Sequence, residues 1–157
     1  MDFSYLDDFL EEETPTQDIE AAGEGHRNIW ALVEVIDGSP LPAGLEAMGQ
    51  AAELARQIGV YTFGIVLGAD VEAAGQQLFY YGADRVLVAD DPALSEYQPE
   101  TYVDVLATLV DQYRPEILLL SATHLGSDLA PRLARRLDTG LISRCVKLEL
   151  DMAERLL

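Results

Sequence analysis

The residues equipped for chemistry are few and unevenly placed. The chain has two histidines (His26 and His124), one cysteine (Cys145) and nine arginines, of which Arg132, Arg135 and Arg136 fall within five residues. His124 stands near Ser121, Thr123 and Ser127, so a hydrolase could be written with Ser127 as nucleophile and His124 as base. No Gly-x-Ser-x-Gly elbow encloses them, and polar residues are the ordinary content of a strand-to-helix turn. Two histidines and one cysteine, far apart, offer no metal-ligand spacing. A lone cysteine excludes an internal disulfide, and Cys145 reads as an inert structural thiol. Phosphate-cradling loops are also missing. Gly23-Glu24-Gly25 lacks a third glycine, Asp37–Gly44 carries Pro40 and Pro42 without a glycine cluster, and no Walker A sequence occurs.

The arginines are the remaining candidate. Arg132 and Arg136 are four apart and share a helix face, and Asp128 precedes Arg132 by one turn in the favourable acid-first order. Two readings stay open. In one, the arginines form solvated pairs and ease the negative end of the helix dipole. In the other, an anionic or electron-rich group lies beside Arg136 and the Thr139-Gly140 turn.

The elements that must position these residues follow from the apolar pattern. Ile29–Ile36 reads as a first strand, followed by a breaker-rich loop, Asp37 to Pro42. Leu45, Met48, Ala51, Ala52, Ala55 and Ile58 mark a helix face, with Gly59 placed for a left-handed C-terminal cap. Val60–Leu67 is the second strand. Asp70 is placed to cap a second helix, and Gly82 follows that helix. Arg85–Ala89 is the third strand. Tyr102, Val105, Leu106, Leu109, Val110 and Tyr113 define a third helix, stopped by Arg114-Pro115. The run Ile117-Leu118-Leu119-Leu120 suits a strand buried on both faces. Leu125, Leu129, Leu133 and Leu137 give a fourth helix, with Asp128 as its cap and Pro131 in its first turn. Ile142, Val146, Leu148 and Leu150 alternate with polar neighbours, as in a fifth strand wet on one face. Strand–helix pairs with continuous apolar runs predict an α/β fold: a doubly wound parallel sheet of about five strands, helices on both faces.

Charge separates the amino-terminal segment from the rest. The 157 residues carry 28 acids and 10 bases, a net charge of −18. Residues 1–25 hold nine acids and no lysine or arginine, so the remaining 132 residues carry 19 acids and 10 bases. Residues 1–28 therefore read as an acidic extension and 29–157 as one domain. Phe3, Leu6, Phe9 and Leu10 sit at helical spacing within Asp2–Glu13, either in a solubilising tail or in a segment that docks on a partner. A chain this negative is repelled by phosphate backbones and anionic membranes, so nucleic acid is not expected as a partner. No apolar run reaches the ~20 residues of a membrane span, and no secretory signal is apparent, so a cytoplasmic protein without membrane insertion is expected.

The stretch from Ser121 to Leu141 resembles the alpha-subunit signature of electron-transfer flavoproteins, a Gly/Ser-Ala-Thr-x-x-Gly-x-x-Leu-Ala-Pro-Arg-x-Ala-x-Arg-Leu-x-Thr-Gly-Leu pattern. Tyr81-Gly82-Ala83-Asp84-Arg85-Val86-Leu87-Val88-Ala89-Asp90-Asp91 is similar to that family's turn into strand three, and Tyr113–Leu119 to its entry into strand four. The likeness covers about Asn28 to Leu150. It implies the amino-terminal scaffold domain of an alpha subunit, non-enzymatic and cut off before the domain that holds FAD. It also implies an FAD-containing heterodimer with a beta subunit, carrying electrons from flavin dehydrogenases, as in fatty acid β-oxidation, to a quinone reductase or other acceptor. FAD is expected in the complete heterodimer and not in this piece alone. In relatives that split electron pairs, the residues matching Arg136, Thr139 and Gly140 approach a second flavin. The chain departs from those relatives at Ile142-Ser143-Arg144-Cys145, where they usually carry Thr-Ala-Asp-Cys. The alternative from another class, a nucleotide-binding regulatory domain of universal-stress type, calls for a glycine-rich loop near 121–136, where Gly126 stands alone.

Overall fold

The computed structural model describes residues 28–150, so the acidic segment before Asn28 and its predicted helix lie outside the described residues. The elements run β1 (Ile29–Leu32), β2 (Val35–Ile36), β3 (Ser39–Pro40), α1 (Pro42–Ile58), β4 (Thr62–Gly68), α2 (Glu72–Gln77), β5 (Arg85–Asp90), α3 (Pro99–Tyr113), β6 (Ile117–Leu120) and α4 (His124–Leu137). Short 3-10 turns at Leu78–Tyr81 and Pro92–Leu94 follow α2 and β5.

Among the described residues, four strands form a parallel sheet in the order β5-β4-β1-β6. The chain winds outward from β1 through β4 to β5, then returns to lay β6 on the other side of β1. Helices cover both faces, as a doubly wound fold requires. On one face Trp30, Leu32, Phe63 and Ile65 pack with Val105 and Leu106 of α3 and Leu129 and Leu133 of α4. On the other, Ile29, Ala31, Val33 and Val66 pack with Met48, Ala51 and Ala55 of α1 and with Val71 and Leu78. Strand alternation sorts the residues: neighbours in β1 supply opposite cores.

Several predicted elements differ in detail. The first strand ends at Leu32, and the loop after it is a hairpin of β2 and β3. Its two turn residues, Asp37 and Gly38, both have positive φ, as a type I′ turn demands. Asp70 does not cap α2; its own φ is 57°. The Asp90 carboxylate at the end of β5 instead accepts the backbone N–H groups of Asp70 (2.8 Å), Val71 (2.8 Å) and Glu72 (3.2 Å). Gly59 caps α1 at φ 70°, as predicted, and α3 stops before Arg114-Pro115, as predicted, with Arg114 in the left-handed region rather than the extended one that a following proline favours.

The predicted fifth strand is absent among the described residues. Residues 141–150 join no ladder, and Arg144 at φ 58° turns the backbone in mid-run. Leu148 and Leu150 rest partly on the α1-side core, while Ile142 and Val146 face solvent. Consequently β6 is an edge strand and all four of its residues are half-buried, where the sequence predicts burial on both faces.

Candidate functional site

The strand order reverses between β1 and β6, and in open α/β sheets the crevice above such a reversal is where function collects. Glu34, just past β1, meets Thr123, just past β6: the threonine Oγ1 donates to the glutamate Oε1. The same Thr123 Oγ1 accepts the Gly126 N–H at 3.0 Å and so caps α4. Gly126 is pressed against the β6 exit; a Cβ there would lie 1.9 Å from the Ser121 carbonyl oxygen. Glycine thus serves tight packing at this point.

Asp128 therefore lies inside α4, and Pro131 with it, rather than at the cap and first turn. From there Asp128 links two elements. The Tyr97 hydroxyl, in the loop before α3, donates to its Oδ2 at 2.8 Å, and Arg132 Nε donates to its Oδ1 at 3.1 Å. Tyr97 stands edge-on to Tyr102 at 5.0 Å, and the Tyr102 hydroxyl donates to the Leu94 carbonyl at 3.2 Å. Burial, and then the Asp128 carboxylate, push the Tyr97 hydroxyl up to about 12. The Tyr97 hydroxyl, followed by the Arg132 guanidinium, holds the Asp128 carboxyl below the usual carboxylate range. Burial, with Glu34 as a second cause, raises Tyr102 as well.

The end of α4 is looser. Arg136 Nε lies 3.9 Å from Asp104 Oδ1 of α3, with the arginine side chain 58% exposed. Arg135 is also exposed. Asp138 closes the helix in the left-handed region, and the Thr139 N–H reaches the Ala134 carbonyl at 3.0 Å. Thr139 and Gly140 are exposed, and a Cβ on Gly140 would meet nothing within 4 Å. Arg136, Thr139 and Gly140 thus share one exposed helix end. Beyond them Leu141, Ile142 and Val146 are large apolar residues turned to solvent.

The other candidates do not assemble. His124 and Ser127 are both exposed, and the hydrogen bonds described join neither side chain to the other. Among the described residues no cluster of histidine, cysteine or acids could hold a metal ion, and no helix is long and apolar enough to cross a membrane. Glu34 and Tyr97 were not singled out from the sequence. Their partners lie 89 and 31 residues away, and no local spacing reports such contacts.

Fold and site define an open parallel α/β domain whose arginine-bearing helix end and apolar trailing segment face outward, with no assembled catalytic centre among the described residues. Residues 29–157 match the family model of the electron transfer flavoprotein domain, and the chain belongs to that family. It is 37% identical over 130 residues to an electron transfer flavoprotein subunit alpha of Clostridium acetobutylicum, covering 83% of this chain and 39% of the relative. An acryloyl-CoA reductase electron transfer subunit beta of Anaerotignum propionicum is 40% identical over 126 residues, covering 80% and 34%. Protein FixB of Azorhizobium caulinodans is 41% identical over 131 residues, covering 82% and 36%. The chain thus spans under two fifths of the length of these relatives. A universal stress protein in complex with cAMP aligns over 76% of this chain and 96% of its own at 18% identity, with a TM-score of 0.45, too slight to carry an inference.

Proposed function

We propose that residues 29–157 are the scaffold domain of an alpha-type electron transfer flavoprotein subunit, packed against a beta-type subunit in a heterodimer. The finish of α4 carries this reading: three arginines on the last turns, beside apolar side chains that the domain's own core leaves uncovered. On a chain of net charge −18, such a surface suits a companion that brings acidic or electron-rich groups. The acidic residues 1–28 stand outside the domain.

FAD belongs to the complete heterodimer and supplies the chemistry there, relaying one or two electrons from flavin dehydrogenases to a quinone reductase or other acceptor. The residues of this chain fit a flavin as one wall and not as a cradle, since Gly140 opens onto free space and Arg136 is mostly exposed. Arg136 would favour negative charge on a ring brought beside it, and the Thr139-Gly140 turn would let that ring come close. The chain itself makes and breaks no covalent bond in this role. Asp104 of α3 stands 3.9 Å from Arg136, and Asp128 of α4 pairs with Arg132 at 3.1 Å.

Co-expression with a beta-type electron transfer flavoprotein subunit tests the assignment. A one-to-one complex that survives gel filtration is expected, and failure to form any complex would contradict it.

A further inference from the structure

The three arginines of α4 are held to different degrees. Arg135 is exposed and enters no ion pair among the described residues. Arg136 meets Asp104 at 3.9 Å, beyond hydrogen-bond reach. Among the described residues Arg132 alone of the three is anchored by a hydrogen bond, from its Nε to Asp128 Oδ1 at 3.1 Å. The anchor continues inward. The other oxygen of Asp128, Oδ2, accepts the Tyr97 hydroxyl at 2.8 Å, so the carboxylate is held from both sides. Tyr97 stands edge-on to Tyr102 at 5.0 Å, and Tyr102, only 7% exposed, donates to the Leu94 carbonyl at 3.2 Å.

We propose that Tyr97 is a positioning residue for the companion contact: through Asp128 it holds Arg132 so that the outer edge of the guanidinium receives a carboxylate of the beta-type subunit. The inference rests on the function proposed above and deepens it by naming the group that Arg132 meets. An exposed acid–base pair four residues apart on a helix has little preference, by itself, for one geometry. Here a third group, 31 residues away in sequence, fixes the acid, and the acid fixes the base.

The anchor leaves the binding edge open. Asp128 engages Nε, the Arg132 side chain is 53% exposed, and among the described residues its two terminal nitrogens make no hydrogen bond. Those two nitrogens form the edge that takes a carboxylate in a bidentate pair. Asp128 offsets the charge of Arg132, so the benefit of the anchor is order rather than long-range attraction. A side chain already fixed gives up less freedom when it binds. Arg135 and Arg136, less restrained, lose more of theirs on forming the same contact.

A double-mutant cycle on the full chain, titrated calorimetrically with a beta-type electron transfer flavoprotein subunit, tests the proposal. Tyr97→Phe, which keeps the ring and removes the hydroxyl, should weaken binding about threefold in the unaltered background. In the Arg132→Ala background the same change should leave affinity as it is. A hydroxyl that only braces α3 against α4, or that touches the companion itself, would cost the same factor in both backgrounds and overturn the proposal. Equal affinity of the unaltered chain and Tyr97→Phe would overturn it too, while leaving the proposed function standing. If the unaltered chain forms no complex at all, the proposed function falls and this inference falls with it.

Discussion

Strands β1 and β6 lie side by side in register over four residues, and both are unbroken apolar runs, yet they end in different surroundings. Every side chain of β1 is buried, between two helical layers and two neighbouring strands. Every side chain of β6 is half-buried, because the far side of the strand has no neighbour among the described residues. The difference separates a strand covered on every side from one that, among the described residues, has a free edge. Core β1 serves the fold, whereas the β6 edge, the end of α4 and the apolar Leu141, Ile142 and Val146 are left open to solvent among the described residues.

Breaking the first half of that comparison should give the largest effect. Trp30→Ala removes a fully buried ring that packs on Phe63 and Tyr113 and should cost about 3–5 kcal/mol in urea unfolding. Leu118→Ala on β6 should cost less, about 1–2 kcal/mol, because the residue is only partly covered. Equal losses at the two positions would erase the distinction between core and edge. Gly126→Ala, which drives a Cβ into the Ser121 carbonyl, should cost about 2–3 kcal/mol and loosen the start of α4, visible as faster amide exchange at Ser127.

A smaller effect is expected at the link between α3 and α4. Tyr97→Phe removes a hydrogen bond to a charged carboxylate and should cost about 1 kcal/mol near neutral pH. The Tyr97 hydroxyl is raised from 10.0 to about 12, so its contribution is complete below about pH 10 and is lost as pH rises toward 12. The unaltered chain should therefore lose its advantage over Tyr97→Phe across that window. The lowered Asp128 carboxyl has the opposite sense: its contribution is present at neutral pH and fades as pH falls through the acid range. Thermal unfolding of both proteins across pH would check the two signs together.

Much of this arrangement was legible in the sequence, for local reasons. Gly59 and Arg114-Pro115 mark real helix ends because one residue's backbone preference decides each. The parallel sheet follows from continuous apolar runs separated by helical stripes. The start of α4 was misread because Asp128 followed by Pro131 imitates a helix start. Leu125, Leu129 and Thr123 instead extend the helix backward and place Pro131 inside it, against a cost of about 3 kcal/mol for an interior proline. Asp37-Gly38 carried a hairpin signal that the neighbouring prolines obscured. The cap of α2 by Asp90 and the Glu34–Thr123 contact depend on residues brought together only by the folded sheet. The alternation at 142–150 reported a capacity to form a strand, and a strand needs a surface to lie against.

The smallest effect on stability should accompany the largest on assembly, at Arg136. Its side chain is exposed and its carboxylate partner lies 3.9 Å away, so Arg136→Ala should shift unfolding by no more than about 0.5 kcal/mol. The decisive measurement is calorimetric titration of unaltered and Arg136→Ala chains with a beta-type electron transfer flavoprotein subunit. Binding weakened about tenfold, with unfolding unchanged, is expected of a guanidinium that meets the companion. Equal affinity for the two chains would contradict the assignment of this helix end to the subunit contact.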